Sequence, residues 1–398
     1  MYVTRPLSHY YNSPAAMAEP PPEGPGSGIL VIEDAAAEEQ ATCCWGMLRT
    51  TRLFTTPFPQ NKMIKVRYST GAGESRRTYR DNVYFIPAVG QPLSSNRYYV
   101  VRSRGRRKGN TCTCSNEEEV RTFCFCTLVN DVEPTPFDHR NIYQQVEILP
   151  YEDTFRLVSR KGCFRAVSIA SDGIPPKFLR RKGWEAYTSK PSHYTLGEAL
   201  GINTTLRIQM PDLNFPISTK YSPSLVVGKW YCPYVFVKER EGLEDQMKRS
   251  MFYEMTLEQF WEEIYSTENY NGYKENVVEV GVSVKRETAL WNGREIVNDD
   301  VENVNGVVWF KPVGSMSNEF GLSLPIWERM RWEEARGGWN GGEKVERVEK
   351  LELYEGERGW KKFGCYVLVE RFVLKRMDGS LALTYDFKHT SKIRVKWE

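Results

Sequence analysis

No stretch of this chain holds the roughly 20 consecutive apolar residues that a membrane-crossing helix needs, so a helical span is not expected. The opening residues, Met1-Tyr2-Val3-Thr4-Arg5-Pro6, lack the apolar core of a secretory signal. Histidine is scarce. His9, His139, His193 and His389 are the four in 398 residues, and none stands in a Cys–His or Ser–His pattern that nucleophilic catalysis uses. Asp138-His139 is the one local pair, and a turn-stabilising hydrogen bond is its expected role. Gly71-Ala72-Gly73 lacks the third glycine and the following apolar helix of a dinucleotide fingerprint. Gly337-Gly338 and Gly341-Gly342 lack the Gly-Lys-Ser/Thr of a phosphate loop. With 54 basic against 51 acidic side chains, a net charge of +3, the chain also lacks the bulk charge of a polyanion binder.

What is present is enough to fold. Hydrophobic residues make up 40% and aromatics 13%, far richer than a disordered chain. The length suggests two domains or one two-lobed unit. Nine cysteines, an odd number, in a chain without an export signal point to reduced thiols and to a cytoplasmic or nuclear setting.

The local patterns are mostly those of strands. The Glu-Pro-Pro-Pro-Glu-Gly-Pro-Gly-Ser-Gly run over 19–28 cannot be helical and leads into an apolar strand at 29–32. Residues 62–68 alternate, and 82–89 with 97–102 read as an antiparallel pair. Further strands are expected at 143–149, 155–158, 278–284, 306–313 and 393–397. Residues 226–238 read as one long strand with Pro233 at a bulge or edge. Asp378-Gly379, between 364–377 and 380–387, is a strong hairpin turn. Leu257, Phe260, Trp261, Ile264 and Tyr265 follow the i, i+3, i+4 spacing behind a Thr256…Gln259 capping box, which predicts a helix over 257–266. Trp230, Phe260-Trp261-Glu262-Glu263 and 278–284 are loosely echoed by Trp309, Arg331-Trp332-Glu333-Glu334 and 367–373, as a duplicated β-α-β unit would be. The expected fold is therefore α+β and two-lobed, mainly antiparallel sheet with a few helices. Residues 1–28 form a loose arm and 29–190 a basic lobe. Residues 191–224 connect it to a Trp-rich lobe over 225–398.

Charge supplies the first candidate site. Residues 49–108 carry fourteen basic and two acidic side chains, while 201–398 carry 28 and 31. Arg102, Arg104, Arg106, Arg107 and Lys108 follow Tyr98-Tyr99, and Arg180, Arg181 and Lys182 precede Trp184. Cations beside aromatics suit an anionic protein or surface, and also a nucleic-acid backbone. A solvated basic loop, or a contact to acidic residues elsewhere in the chain, is the simpler reading. Cys112-x-Cys114 and Cys124-x-Cys126 are the second candidate. Four thiolates brought together by a hairpin could hold zinc, but the spacing within each pair is shorter than structural zinc sites favour. Plain packing of buried thiols is the simpler reading, and no cofactor is required. Glu262/Glu263 and Glu333/Glu334 are adjacent carboxylates that point to different sides and form no acid–base pair. Trp230, Trp261, Trp309, Trp332 and Trp360 read as core, with a Trp-lined ligand pocket as the alternative.

The strings MYVTRPLS, PPPEGPGSGILVI, Phe58-Pro59-Gln60-Asn61-Lys62, VVGKWYCPYVFVKE, MKRSMFYEMTLEQFWEEI and FGCYVLVERFVLKRMDGSLALTYDFKHT resemble the plant family catalogued as domain of unknown function 1262. The resemblance runs essentially over the whole chain. It implies a land-plant source and one family-wide fold, and it supplies no catalytic residue. The local charge and the lack of any catalytic constellation favour a non-enzymatic binding or scaffold protein acting through the basic lobe. An enzyme whose site assembles only in three dimensions, or a zinc-stabilised module, are the alternatives.

Overall fold

Val, Ile, Phe, Tyr and Trp crowd the apolar segments, and such residues favour pleated, half-buried backbone. A computed structural model describes all residues except 41, 44–47, 72–74, 124–125, 152–161, 191–192, 271–275, 299–305, 316, 318–319 and 358. It is 46% strand and 17% helix. The strand expected at 155–158 lies outside the described residues.

Two sheets dominate. The larger is twelve-stranded. Its middle is formed by Leu225–Pro233, Phe252–Glu268, Lys362–Arg376 and Leu381–Trp397, each antiparallel to the next. The Asp378-Gly379 turn joins the last two, with Gly379 at φ +82°, and the expected terminal strand is simply the end of Leu381–Trp397. Val237–Glu239 and Gly28–Ile32 are the two edges. The smaller sheet is seven-stranded and contains Met63–Thr70, Arg77–Pro87, Arg97–Arg102, Gln145–Pro150 and Glu185–Ser189. Among the described residues a separate two-stranded ribbon pairs Val277–Lys285 with Val345–Leu353.

Three expectations are corrected. Residues 257–266 are not a helix but the middle of the strand Phe252–Glu268. Both faces of this strand are covered. Leu257 joins the main core, Trp261 packs with Phe215, Tyr366 and Leu368, and Phe260 packs on the other face with Val367 and Val369. A bulge between Glu263 and Tyr265 then shifts the alternation. A two-sided strand with a bulge repeats its apolar residues much as a helix does, and tertiary burial decides between them. For the same reason the β-α-β echo fails: its first copy contains a strand where the second contains the helix Leu324–Arg336. The first residues are no loose arm either. Tyr2–Pro6 lies between Leu225–Pro233 and Gly28–Ile32, with Tyr2 and Val3 fully buried. The Pro/Gly run is pinned as well. Gly26, at φ +60°, lies so close to the Pro325 backbone that no side chain fits. Pro233 ends its strand in a 3-10 turn, and the bulge of that strand falls at Val226/Gly228.

The strands 77–87 and 97–102 have two buried faces. Val83, Phe85, Tyr98 and Val100 point into a core with Trp184, Phe58 and Phe164. Tyr84, Ile86, Tyr99 and Val101 point the other way, into the core of the larger sheet. Burying each such ring or branched side chain contributes about 1.5–3 kcal/mol.

Candidate functional site

The basic stretch leaves the strand Arg97–Arg102 and closes a loop in which Gly109 N–H returns to the Arg102 carbonyl at 2.9 Å. The loop therefore holds its cations at one place. The second basic run begins in the one-turn helix Lys177–Arg180. The two meet across a cleft of about 340 Å³ lined by Arg102, Arg104, Arg106, Arg107, Lys177 and, between them, Tyr68 and Phe178. Arg102 lies 5.3 Å over the Phe178 ring and Arg181 5.8 Å over Tyr68. Three carboxylates answer part of the charge. Asp81 pairs with Arg102 at 2.8 Å, Asp131 with Arg180 at 3.0 Å, and Glu133 with Arg107. Arg104, Arg106 and Lys177 are exposed and make no close ion pair among the described residues, although Arg106 joins Arg107 in holding the Glu133 carboxyl below its usual range. Of the expected set, Arg102, Arg104, Arg106 and Arg107 line the cleft, and Arg180 and Arg181 touch its lining. Lys108 and Lys182 do not belong to the lining, and Lys177 is an addition.

Cys112 and Cys114 are buried beside this cleft in the Trp184 core. Burial pushes their thiols up, to about 12 and about 11, so both are protonated at neutral pH. Cys124 lies outside the described residues, and of Cys126 only its place in the strand Cys126–Val129 is described. Asp138 takes hydrogen bonds from the backbone and guanidinium of Arg140, so its local partner is Arg140 rather than His139. Trp230, Trp261 and Trp360 are core, while Trp309 and Trp332 are half-buried.

A second assembly of ionisable groups escaped the sequence. The short helix Thr204–Gln209 is capped by Asn203, whose side chain accepts from Leu206 N–H at 3.1 Å. That cap directs Arg207 onto Glu370, in the middle of the strand Lys362–Arg376, with Nε–Oε1 at 2.8 Å and Nη2–Oε2 at 2.5 Å. Gln259 donates to the same carboxylate at 2.7 Å. His389 Nε2 stands 3.1 Å from both Glu370 Oε2 and Glu334 Oε2. Beside it, Arg329 holds Glu333 at 2.6 Å. Glu333, Glu334, Glu370 and Gln259 are wholly buried, and His389 nearly so. Two guanidiniums thus face two carboxylates, Glu333 and Glu370. Glu334 has only a looser share of Arg207, whose Nη2 lies 3.5 Å from its Oε1, and burial together with Glu370 pushes its carboxyl well above the usual range. Burial would push Glu370 up as well, but hydrogen bonds from Arg207 and His389 overcome it and hold Glu370 well below that range. The three donor atoms of Glu334, Glu370 and His389 lie within 4.8 Å of one another. A cation already occupies this place, because the Arg207 guanidinium sits on Glu370. A protonated Glu334 is a poor ligand besides. The arrangement is an ionic lock between the helix Leu324–Arg336, the short helix Thr204–Gln209 and the central strands.

His389 gives the lock a pH signature. Burial lowers its pKa, against the pull of Glu370. Below about 6.5 the unfolded chain therefore binds a proton at this residue that the folded chain does not. The stability advantage of wild type over His389→Gln is expected to shrink as pH falls from 7.5 toward 5, by up to about 1.4 kcal/mol per unit. Urea unfolding of both proteins across that range measures it. An advantage that stays constant with pH would show that His389 titrates alike in both states.

Fold and sites together define a strand-rich protein with an arginine-lined cleft and a buried ionic lock, and with no helix among the described residues long and apolar enough to cross a membrane. Residues 23–125, about a quarter of the chain, match the family model described as "Protein of unknown function (DUF1262)". The matched stretch contains the basic loop and the first cysteine pair. No curated protein matches the sequence. Among solved structures, the crystal structure of Cry35Ab1 is similar with 8% identity and a TM-score of 0.46, over 85% of this chain and 90% of that one.

Proposed function

We propose that this is a non-enzymatic binding protein whose basic cleft receives a phosphate-bearing group, presented by a protein or an anionic surface. The observation that carries the reading is the pairing pattern at the cleft. The carboxylates at the cleft are occupied by Arg102, Arg107 and Arg180, while Arg104, Arg106 and Lys177 remain exposed and outside any close ion pair among the described residues. Tyr68 and Phe178 add flat apolar walls between the cations. Binding is favoured over catalysis because the ionisable groups that converge most closely, Arg207, Glu334, Glu370 and His389, are buried and bonded to one another. The same reading treats residues 29–190 as the basic lobe and 225–398 as the Trp-rich lobe, with 191–224 as the connection.

Calorimetric titration with pyrophosphate at low ionic strength tests it. Saturable binding is expected, weakening as salt screens the exposed charges. A hydrogen bond to a charged group is worth about 1.5–3 kcal/mol, so Arg104→Ala with Arg106→Ala is expected to weaken binding at least about tenfold. Arg347→Ala, at an exposed arginine on the strand Val345–Leu353, is expected to change nothing. No binding, or an equal effect of both changes, sinks the reading.

A further inference from the structure

A larger cavity lies between the N-terminal segment and the smaller sheet, and it shares no lining residue with the basic cleft. Its volume is about 880 Å³. One side is built by the helix Leu7–Asn12 and the 3-10 turn Pro14–Ala18, which contribute Tyr10, Tyr11 and Met17. The other is built by Arg52–Leu53 and the chain that follows, which contribute Leu53 and Phe54. Phe54 keeps 49% of its surface exposed although it borders an apolar hollow. An aromatic ring left so bare, in a hollow of this size, matches the profile of small-molecule sites: about 300–1,000 Å³, chiefly apolar, with a few polar groups to orient the ligand.

The polar groups are at one end. Thr50, Thr51, Thr188 and Glu33 line this cavity and also an adjoining space of about 330 Å³. That space adds Lys62, Glu38, Ser189 and Lys190. Lys62 lies 2.9 Å from both Glu33 and Glu38, so these charges already satisfy one another. Thr50 Oγ1 accepts from Arg52 N–H at 3.2 Å, which leaves its own hydroxyl proton to donate. Arg52, which also lines the main cavity, is paired with Glu185 at 3.1 Å, so the polar end offers hydroxyls and compensated ion pairs, with Lys190 exposed to solvent as the one cation lacking an ion pair among the described residues. Within the threonine end a charged headgroup would have to break the Lys62 pairs or reach out to the solvated Lys190, whereas a hydroxyl or carbonyl need do neither. We infer that this cavity is a binding site for a neutral amphipathic small molecule, with a ring-bearing apolar body against Tyr10, Met17 and Phe54 and a hydroxyl or carbonyl end among the threonines.

Nile red, a neutral ring fluorophore with a carbonyl, is the probe, titrated into the full chain. Saturable one-to-one uptake with blue-shifted emission is expected. Met17→Trp fills the apolar end from inside, and Thr51→Trp fills the cavity from an exposed position that should not disturb folding. Both are expected to weaken uptake at least about tenfold, and Thr51→Trp with an unchanged thermal midpoint. Arg104→Ala, in the separate cleft, is expected to leave uptake unchanged. No saturable uptake by the wild type, or uptake by Thr51→Trp equal to that of wild type, overturns the site. Equal affinity for the anionic probe 1-anilinonaphthalene-8-sulfonate overturns the neutral headgroup.

Discussion

Arg207→Met is expected to destabilise the protein by about 3–5 kcal/mol, the cost of leaving a buried charge without its partner. Methionine keeps most of the side chain's length, so the loss reports on the guanidinium rather than on a cavity. Without it, Glu370 keeps only Gln259 and His389, in a place with no access to water. The charge of Glu333 loses a neighbour at 3.8 Å as well. Adding Glu370→Gln removes the stranded carboxylate, and the double variant should recover at least about 1 kcal/mol of the loss, since contacting residues couple by 0.5–3 kcal/mol. Guanidinium chloride unfolding of the four proteins at pH 7 closes the cycle. A loss under about 1 kcal/mol for Arg207→Met is the behaviour of an exposed pair and would dismiss the lock. The sign with pH follows from Glu370. Its folded pKa is depressed, so its contribution is fully present above about 4.3 and disappears as pH falls below that.

The lock was hidden from the sequence because its members are far apart. Arg207 and Glu370 are 163 positions apart, and neither has a local pattern that announces the other. One signal was available. Glu370-Arg371 interrupts the apolar run Val367-Leu368-Val369 and Phe372-Val373-Leu374. A charged pair inside a run that reads as a central strand must be paired or hydrogen-bonded when buried, as Glu370 is with Arg207 and Arg371 is with Asp386 at 2.6 Å. Local turn chemistry, by contrast, was fully legible. Asp378-Gly379 marked its hairpin, and the alternation at 278–284 marked a strand exposed on one face, because one-sided burial imposes the period of two. Burial on both faces erases that period, and the misreading of 257–266 follows from it. The basic loop was legible because charge accumulates locally. Its meeting with Lys177 and Phe178 was not, since the loop closure that joins them is a tertiary event.

The sheet of seven strands poses the remaining energetic question, which is whether it folds alone. Trp184 is wholly buried at its centre. It stacks on Phe85 with ring centroids 6.3 Å apart, lies 5.1 Å from Phe164, and donates its indole N–H to the Leu179 carbonyl at 3.1 Å. Trp184→Ala is expected to cost about 3–5 kcal/mol. The distribution of that loss is the informative part. Phe85 and Ile86 are neighbours on one strand, yet Phe85 belongs to the Trp184 core and Ile86 to the core of the larger sheet. The strand cannot release one face and keep the other, because a shift of its backbone moves both sets of side chains. Tyr234, on the larger sheet's side, donates its hydroxyl to the Gly109 carbonyl at 2.5 Å, so the basic loop is tied across as well. A single unfolding transition is therefore expected for the wild type, and Trp184→Ala should move that one transition whole. Calorimetry of both proteins decides it. Two resolved transitions, with only one displaced by the substitution, would mean that the shared strands do not couple the cores and that the basic lobe is an independent folding unit.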